Sequence, residues 1–386
     1  MGYGPAPITC SLQRALTPII RRGTVCCAIV PQPIEAHWGA AIHEGEGSIK
    51  KIDIFSHVLP TQYLEAIRRH ADEKFQPMVR RFADIRALWD IDTRVSMMAQ
   101  WPDLQQVLTL SLPAPELIAG PELSPELARI ANDGMAEIRD RRSDRFPAFV
   151  ASLPMNNVPA ALEEMDRAVT KLGARGIQLL TSVEGRPLDH PKFFPVLERI
   201  TKQYGLPIWL HPFREASVPD YATETRSEYE VWVVLGWPHE SSVAMARIVF
   251  SEMFERLPDL EIITHHCGAT IPYLVGRVGP MWDEFGLRSG NADYVAIRAR
   301  MSKSPLEYFC QFYADTAIGG STAALRCGLD FFGASHVLFG TDCPFGPEGG
   351  MWFLRENIRA LDTLDLPAGD RQDIYFRNAL KLMRLE

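Results

Sequence analysis

The stretch that decides the fold runs from residue 206 to residue 212 and reads Leu206-Pro207-Ile208-Trp209-Leu210-His211-Pro212. An apolar run of this length fits a buried strand of a parallel sheet. Pro212 offers no donor to a sheet ladder and holds His211 in an extended conformation, so the strand ends here. The pattern predicts a strand that leaves one imidazole at its C-terminal end, and the competing interpretation is a hydrogen-bonded core histidine.

Seven other segments of the chain share this apolar, strand-like character. Three of them end in polar side chains, and they are Lys51 to Phe55 before His57, Leu260 to Thr264 before His265 and His266, and Val337 to Thr341 before Asp342. The others are Gln106 to Leu112, Phe146 to Leu153, Gly176 to Leu180 and Phe312 to Asp315. Helical patterns separate most of them, including residues 125–141, 158–172, 191–204 and 241–257. Strands alternating with helices predict an α/β fold, a (β/α)8 TIM barrel, whose strand ends converge on one face.

The chain divides into an N-terminal segment and a longer barrel segment. Prolines interrupt any helical period before residue 48, so we predict an irregular N-terminal extension at residues 1–48 and the barrel at residues 49–386. Arg21 and Arg22 before an apolar run imitate a signal peptide, but that run is short and ends at Pro31. Residues 54–104 hold one strand and much helical pattern, which indicates a small cap insertion around residues 60–104, after the first strand.

The composition favours a small-molecule enzyme in a reducing compartment. The net charge of −8 and the pI near 5.7 argue against a nucleic-acid surface, which needs clustered lysine and arginine. No stretch reaches the roughly 18 consecutive apolar residues of a membrane-spanning helix. Seven cysteines without repeated spacing do not resemble a disulfide framework and fit the cytoplasm. We therefore expect no nucleic-acid and no membrane partner.

Histidines and an aspartate that meet at one face of a barrel indicate a mononuclear metal site, because neutral imidazole and carboxylate together suit zinc or a similar divalent ion. Adjacent residues on a strand point to opposite sides, so only one of His265 and His266 is expected to face the pocket. Each residue alone has a simpler interpretation, such as a capping histidine or, for Asp342, a turn aspartate. The grouping of four such strand ends favours the metal site.

Five motifs spread over residues 51–386 carry a family resemblance, and they are Ala87-Leu88-Trp89-Asp90, LHPF at residues 210–213, Gly236-Trp237-Pro238, THHCGATIPYLVGRV at residues 264–278 and GTDCPF at residues 340–345. Together they resemble the amidohydrolase superfamily, in its branch of aminocarboxymuconate-semialdehyde decarboxylase-like proteins. The resemblance implies a distorted (β/α)8 barrel, one divalent metal ion, zinc or else manganese, decarboxylation or hydrolysis, and a homodimer. It also implies metal ligands at His57, His211 and Asp342 and an acid/base catalyst at His266. Arg277 would bind a substrate carboxylate, within one subunit or across an interface.

The chain departs from this family at its first ligand pair. The family opens with His-x-His or Glu-x-His, whereas this chain reads Phe55-Ser56-His57, and phenylalanine cannot bind a metal. Three protein ligands and one water still form a usual catalytic zinc site. The alternative is a degenerate site without metal, because the loss of one ligand or of its support can cost large factors in affinity. Phe55 would then provide an apolar wall of the substrate pocket.

Other substrate contacts are expected from residues near the motifs. Trp237 can stack on a planar ring, although core packing is the commoner role of such a side chain. Arg214 follows the His211 motif and can bind a carboxylate as a fork, or else form a surface salt bridge. Of the arginines shortly before residue 87, Arg81 is the candidate for a second carboxylate contact, although none aligns cleanly with the family.

The resemblance to this branch implies a metal-dependent non-oxidative decarboxylase, a carbon–carbon lyase, of a small aromatic or unsaturated carboxylic acid. The metal would bind the carboxylate or an adjacent hydroxyl, and His266 would supply the proton. The first alternative is a metal-dependent hydrolase of a cyclic amide, lactone or ester, in which His266 or Asp342 takes a proton from water. The second alternative is a metal-free protein that binds an acid without turning it over.

Overall fold

The computed structural model of the protein describes residues 49–284 and 292–385. The strands are β1 Lys51–Val58, β2 Leu104–Leu110, β3 Ala151–Ser152, β4 Ile177–Leu180, β5 Ser182–Val183, β6 Arg186–Pro187, β7 Ile208–His211, β8 Ile262–Thr264, β9 Tyr313–Asp315 and β10 Val337–Leu338. The α-helices are α1 Thr61–His70, α2 Gln76–Ala83, α3 Arg86–Trp89, α4 Ile91–Met98, α5 Pro115–Ile118, α6 Ser124–Arg141, α7 Val158–Thr170, α8 Phe194–Arg199, α9 Val231–Val234, α10 Gly236–Phe250, α11 Met253–Arg256, α12 Val275–Asp283, α13 Ala292–Arg300, α14 Pro305–Phe309, α15 Thr322–Phe332, α16 Met351–Thr363, α17 Ala368–Gln372 and α18 Asn378–Met383. Short 3-10 segments lie at Glu73–Phe75, Pro191–Phe193, Ala334–His336 and Glu348–Gly350, and π segments at Ile200–Tyr204 and Asp373–Arg377.

Eight of the described strands form a parallel barrel. Two of them pair as β1-β2, and the other six pair in the order β3-β4-β7-β8-β9-β10. At one seam, the Leu108 amide donates to the Ala148 carbonyl (3.0 Å), beside β3. At the other seam, the Asp342 amide donates to the Phe55 carbonyl (3.0 Å) and the His57 amide to the Cys343 carbonyl (2.7 Å). The predicted (β/α)8 barrel is confirmed, and short, irregular ladders such as β3 and β10 account for its distortion.

Several element bounds differ from the prediction, and three of the differences are notable. Strand β1 continues to Val58, so His57 lies inside the strand rather than after it. Strand β3 has two residues instead of the expected eight, because only Ala151 and Ser152 pair with β4. An antiparallel pair, β5 and β6, follows β4 and had no counterpart in the prediction. None of the helices within the described residues is long and apolar enough to cross a membrane.

The region between β1 and β2 is helical, as expected for the inserted cap. Helices α1 to α4 occupy it, and Phe82 and Ile85 from this region line the cavity described below. The Leu59 amide donates to the Leu88 carbonyl (2.8 Å), which fixes α3 to the end of β1. The predicted N-terminal extension, residues 1–48, lies outside the described residues, so the proposed division of the chain stays a prediction.

A buried arginine joins the cap to the barrel. Arg94 of α4 is 1% exposed and donates to the Ala87 carbonyl (3.0 Å), to Ser56 Oγ (2.8 Å) and to Gln106 Oε1 (3.0 Å), and also to the His57 carbonyl. Burial lowers the pKa of Arg94. All these acceptors are buried with it, so Arg94 provides hydrogen bonds to buried polar groups at and near the C-terminal end of β1.

We expect Arg94→Met to destabilise the protein strongly. The variant leaves several buried acceptors without a donor, which should lower the free energy of unfolding by at least about 3 kcal/mol. The measurement is urea denaturation followed by circular dichroism, with Arg69→Met, an exposed position on α1, as the matched control. A midpoint for Arg94→Met equal to that of the control would contradict this role.

Candidate metal centre and active site

Four histidines and one aspartate meet at the C-terminal end of the barrel. One ring nitrogen from each of His57, His211 and His265 lies within 4.8 Å of the other two. In a second group, one ligand atom from each of His265, His266 and Asp342 also lies within 4.8 Å of the other two. His57 Nε2 is 3.1 Å from Asp342 Oδ1, and His265 Nε2 is 3.5 Å from the same oxygen. Strands β1, β7 and β8 and the loop after β10 therefore deliver the cluster, as the strand-end argument predicts.

Two of the imidazoles are oriented by hydrogen bonds at their far nitrogen. His57 Nδ1 is 3.1 Å from Thr109 Oγ1, whose hydroxyl donates to the Ser56 carbonyl (3.2 Å), so the threonine oxygen accepts from the ring. His211 Nδ1 donates to the Pro212 carbonyl (2.7 Å). Both rings therefore carry their hydrogen at Nδ1 and leave the Nε2 lone pair free, which is the tautomer that binds a metal.

His265 has the strongest orienting partner of the cluster. Its Nδ1 donates to Asp315 Oδ2, and Asp315 Oδ1 accepts from the backbone amides of Cys267 (2.9 Å) and Ala317 (3.0 Å). Asp315 is fully buried at the end of β9. The carboxylate is thus fixed by its own hydrogen bonds, and it directs His265 Nε2 toward Asp342.

The charges of the cluster suit a divalent cation. Burial would raise the pKa of Asp342, but hydrogen bonds to His265 and His57 outweigh it and hold that pKa well below its usual range. Burial lowers the pKa of His57 and, with the neighbouring imidazoles, that of His211. A carboxylate and neutral imidazoles are therefore present near pH 7, the donor set that zinc and similar ions bind. The buried His57 Nε2 atom has no well-oriented hydrogen-bond partner within the described residues, as expected of a metal ligand.

The other two imidazoles differ sharply in basicity. Burial lowers the pKa of His265, but the charge and hydrogen bond of Asp315, with those of Asp342, more than compensate and raise it to about 9. Burial and the charge of His265 lower the pKa of His266 to about 4. His266 is therefore neutral at pH 7, and its Nδ1 atom is buried without a partner within the described residues.

Of the histidine pair only His266 lines the cavity described below, as expected, but both rings belong to the donor cluster. Strand alternation stops at Thr264, and the next turn has positive φ at His266 (57°) and Cys267 (56°). This left-handed turn brings both rings to the same side, where they stack with centroids 3.9 Å apart. Sequence reasoning missed His265 for this reason, and the signal that could have found it was Asp315 at the end of the next strand.

A mainly apolar cavity of about 670 Å³ opens above the cluster. His211, His266 and Asp342 lie at its base, and its walls include the aromatic side chains Phe82, Trp232, Trp237, Phe345 and Phe353. Arg81 stands at its edge, where it forms a two-point ion pair with Glu230 (2.9 and 2.8 Å). This is a site for a small, flat and mainly apolar ligand with a polar group that reaches the histidines.

Three residues expected to contact substrate lie elsewhere. Phe55 is fully buried, does not line the cavity, and stacks on His265 with centroids 3.8 Å apart, so it is not the expected wall of the pocket. Arg214 donates to the Pro219 carbonyl (3.0 Å) and pairs with Asp220 (3.4 Å), which is the salt-bridge alternative. Arg277 is exposed on α12 and does not line the cavity above the cluster.

A (β/α)8 barrel with histidine and aspartate donors at its C-terminal strand ends has the architecture of a metal-dependent barrel enzyme. The sequence profile of the amidohydrolase family matches residues 52–385 of this chain. The chain belongs to this family, in the branch of aminocarboxymuconate-semialdehyde decarboxylase-like proteins.

Similar proteins of known activity are decarboxylases. The chain is 28% identical over 312 residues to 2-amino-3-carboxymuconate-6-semialdehyde decarboxylase of Dictyostelium discoideum, covering 76% of this chain and 82% of that protein. It is 30% identical over 306 residues to gamma-resorcylate decarboxylase of a Rhizobium species, covering 76% and 87%. The structure resembles 5-carboxyvanillate decarboxylase of Sphingomonas paucimobilis, with a TM-score of 0.75, 26% identity and coverage of 87% and 99%. A dihydroxybenzoic acid decarboxylase of a Polaromonas species with bound manganese is also similar, with a TM-score of 0.66, 25% identity and coverage of 87% and 97%.

Proposed function

We propose that this chain is a metal-dependent non-oxidative decarboxylase of a small aromatic or unsaturated carboxylic acid. The observation that carries the proposal is the cluster that brings His57, His211 and His265 together with Asp342, next to an apolar cavity lined by the neutral His266. The similar proteins support the same reaction, because those of known activity remove carboxyl groups from aromatic or unsaturated acids.

We propose one divalent ion, held by His57, His211 and Asp342. The donor set suits zinc, and the manganese in the Polaromonas relative makes manganese the alternative. Such an ion supplies Lewis acidity that stabilises negative charge on the substrate carboxylate or on an adjacent hydroxyl. The hydrogen bonds that His57 donates to Thr109 and His265 donates to Asp315 keep these rings in position without rearrangement during the reaction.

The side chains of the cavity supply the remaining chemistry. Trp237 and Phe345 form apolar walls that hold a planar ring and exclude water. His266 takes a proton from the entering acid or from water and delivers it to the carbon that carries the carboxylate. The bond between that carbon and the carboxyl carbon then breaks, its electron pair returns to the ring, and carbon dioxide leaves. The low pKa of His266 makes its protonated form a strong donor.

The direct test measures carbon dioxide and product from a panel of acids. We expect the protein, supplied with zinc or manganese, to release carbon dioxide from at least one hydroxybenzoate or unsaturated acid of the kinds that the relatives use. Chromatography should show the matching product with hydrogen in place of the carboxyl group. Ring opening of lactones or cyclic amides without carbon dioxide would instead establish the hydrolase alternative.

We expect Arg81 to bind the substrate carboxylate or another anionic group at the cavity edge. Arg81→Gln should raise KM about five- to twentyfold with kcat little changed, because an exposed charge-assisted contact contributes modestly. Glu230→Gln should lower KM, because it releases Arg81 from its ion pair. Steady-state kinetics on both variants is the measurement, with the exposed Arg80→Gln as control. Equal KM values in Arg81→Gln and wild type would exclude this role.

We also propose a homodimer formed through the face that carries α12. Tyr273 (82%), Val275 (40%) and Met281 (50%) are large apolar side chains exposed there, which is unusual for a surface without a partner. Arg277 lies among them and would reach the partner's substrate across the interface. Light scattering after size exclusion tests the dimer.

A cytoplasmic location is proposed from the cysteine pattern, and the four cysteines in the described part of the chain are all free.

A further inference from the structure

We propose that His265, oriented by Asp315, is a metal ligand in this chain and takes the place of the donor that position 55 lacks. The inference rests on the proposed function, because it concerns the same metal centre. It adds a residue to the ligand set and explains how a site can form although phenylalanine stands where a donor is expected.

The position of the His265 ring is the first argument. Donor atoms bound to one zinc ion lie about 3.3 Å apart, given bonds of about 2.0–2.1 Å in a tetrahedron. The Asp342 Oδ1 atom is 3.1 Å from His57 Nε2 and 3.5 Å from His265 Nε2, so both of these pairs already have about this spacing. His265 also shares the group of ring nitrogens with His57 and His211. By distance alone it is as good a candidate as either of them.

The surroundings of His265 are the second argument. Asp315 accepts a hydrogen bond at Nδ1, which leaves Nε2 to face the centre, and two backbone amides hold the carboxylate itself. A carboxylate that accepts a hydrogen bond from the ring nitrogen not bound to the metal orients a histidine ligand and strengthens it as a donor. Thr109 and the Pro212 carbonyl perform this task for the other two imidazoles. In all three histidines, a hydrogen bond at Nδ1 therefore orients the ring and leaves Nε2 to face the metal site.

Phe55 provides the third argument. Its ring is parallel to that of His265 within 15°, at a centroid distance of 3.8 Å, and 5.6 Å from that of His57. The phenyl group thus fills the space beside the centre and supports the histidine from one face. Position 55 and His265 therefore lie side by side next to the donor cluster, and His265 is placed to supply the donor that position 55 lacks.

The competing interpretation is a metal-free ion pair. In that case His265 stays an imidazolium between Asp315 and Asp342, and the cation of the centre is the histidine itself. The two interpretations differ in metal affinity rather than in fold. The test must therefore count metal and measure its dissociation constant, independently of activity.

The test is a double-mutant cycle on positions 55 and 265. Manganese dissociation constants, from calorimetry on the full chain after removal of metal, are compared for wild type, His265→Ala, Phe55→His and the double variant Phe55→His/His265→Ala. We expect His265→Ala to weaken binding at least about thirtyfold and Asp315→Asn about tenfold, as for lost ligands and their supports. Phe55→His should change the affinity less than threefold in wild type and raise it at least tenfold in His265→Ala.

Controls separate a lost ligand from a damaged fold. The exposed His70→Ala should bind manganese as wild type does, and circular dichroism should show that every variant is folded. Recovery in the double variant cannot arise from a merely structural role of His265, because that role would be lost in both variants. The cobalt-substituted protein should also change its visible absorption in His265→Ala and regain it in the double variant.

The outcomes distinguish this inference from the proposed function. If His265→Ala binds manganese within twofold of wild type while wild type releases carbon dioxide, His265 is not a ligand and the decarboxylase stands. If wild type binds neither zinc nor manganese and releases no carbon dioxide, both proposals are wrong. Weak binding in His265→Ala without recovery on adding Phe55→His would refute the replacement.

Discussion

Asp342→Asn should reduce the metal content from about one ion per chain to less than a tenth and remove detectable decarboxylation. Asp342 is the carboxylate that faces the Nε2 atoms of the cluster, and its Oδ1 lies between His57 and His265. An amide has no charge to balance the ion, and its nitrogen would face the imidazoles. The measurement is elemental mass spectrometry on protein purified without chelator, together with carbon dioxide release.

The substitution is chosen to leave the backbone intact. Asp342 has a φ of 63°, a left-handed conformation that asparagine tolerates as well as aspartate. Its amide hydrogen bond to the Phe55 carbonyl can therefore persist. Asp330→Asn, at an exposed position on α15, is the control and should keep full metal content. A metal content above one half in Asp342→Asn would show that this carboxylate is not required as a ligand.

His266→Asn should lower kcat about 10²- to 10⁴-fold, the usual cost of losing a general acid or base. Here the metal content should stay near that of wild type, which separates this variant from Asp342→Asn. His266 is neutral at pH 7, lines the cavity, and has one ring nitrogen without a hydrogen-bond partner among the described residues. Asparagine again suits the positive φ, which is 57° at this position.

Two results would contradict the role of His266 in proton transfer. A kcat within tenfold of wild type would mean that another group or a water molecule supplies the proton. A parallel loss of metal and activity would mean that His266 acts as a ligand. Single-turnover kinetics at saturating substrate makes the comparison independent of product release.

Much of the site could be predicted because strand ends are visible in the sequence. His57, His211 and Asp342 each follow an apolar run, and in a parallel barrel such positions converge. The prediction of the (β/α)8 barrel rested on the same runs, and it was confirmed even where a strand such as β3 is short. The assignment of these residues as ligands stays a prediction until metal is measured.

The contacts of His265, Phe55 and Arg214 could not be predicted, because they depend on turn geometry and on residues far away in the sequence. Alternation along a strand could not predict that His265 joins the donor cluster, because β8 ends one residue earlier. Phe55 lies inside β1, where its contact with His265 depends on a strand some two hundred residues later in the chain. The partner of Arg214 was a choice between two plausible outcomes that only the loop geometry decides.

The seam between β1 and the segment after β10 joins residues from the two ends of the barrel sequence, so it can form only late in protein synthesis. Thr341 donates to Asp53 across 288 positions of the chain, and the neighbouring Asp342 meets His57 by the same closure. A ribosome exposes His57 early and Asp342 only near the end of synthesis. The growing polypeptide therefore holds isolated donors for most of its elongation, and a complete metal centre exists only after the last barrel strand has closed the ring.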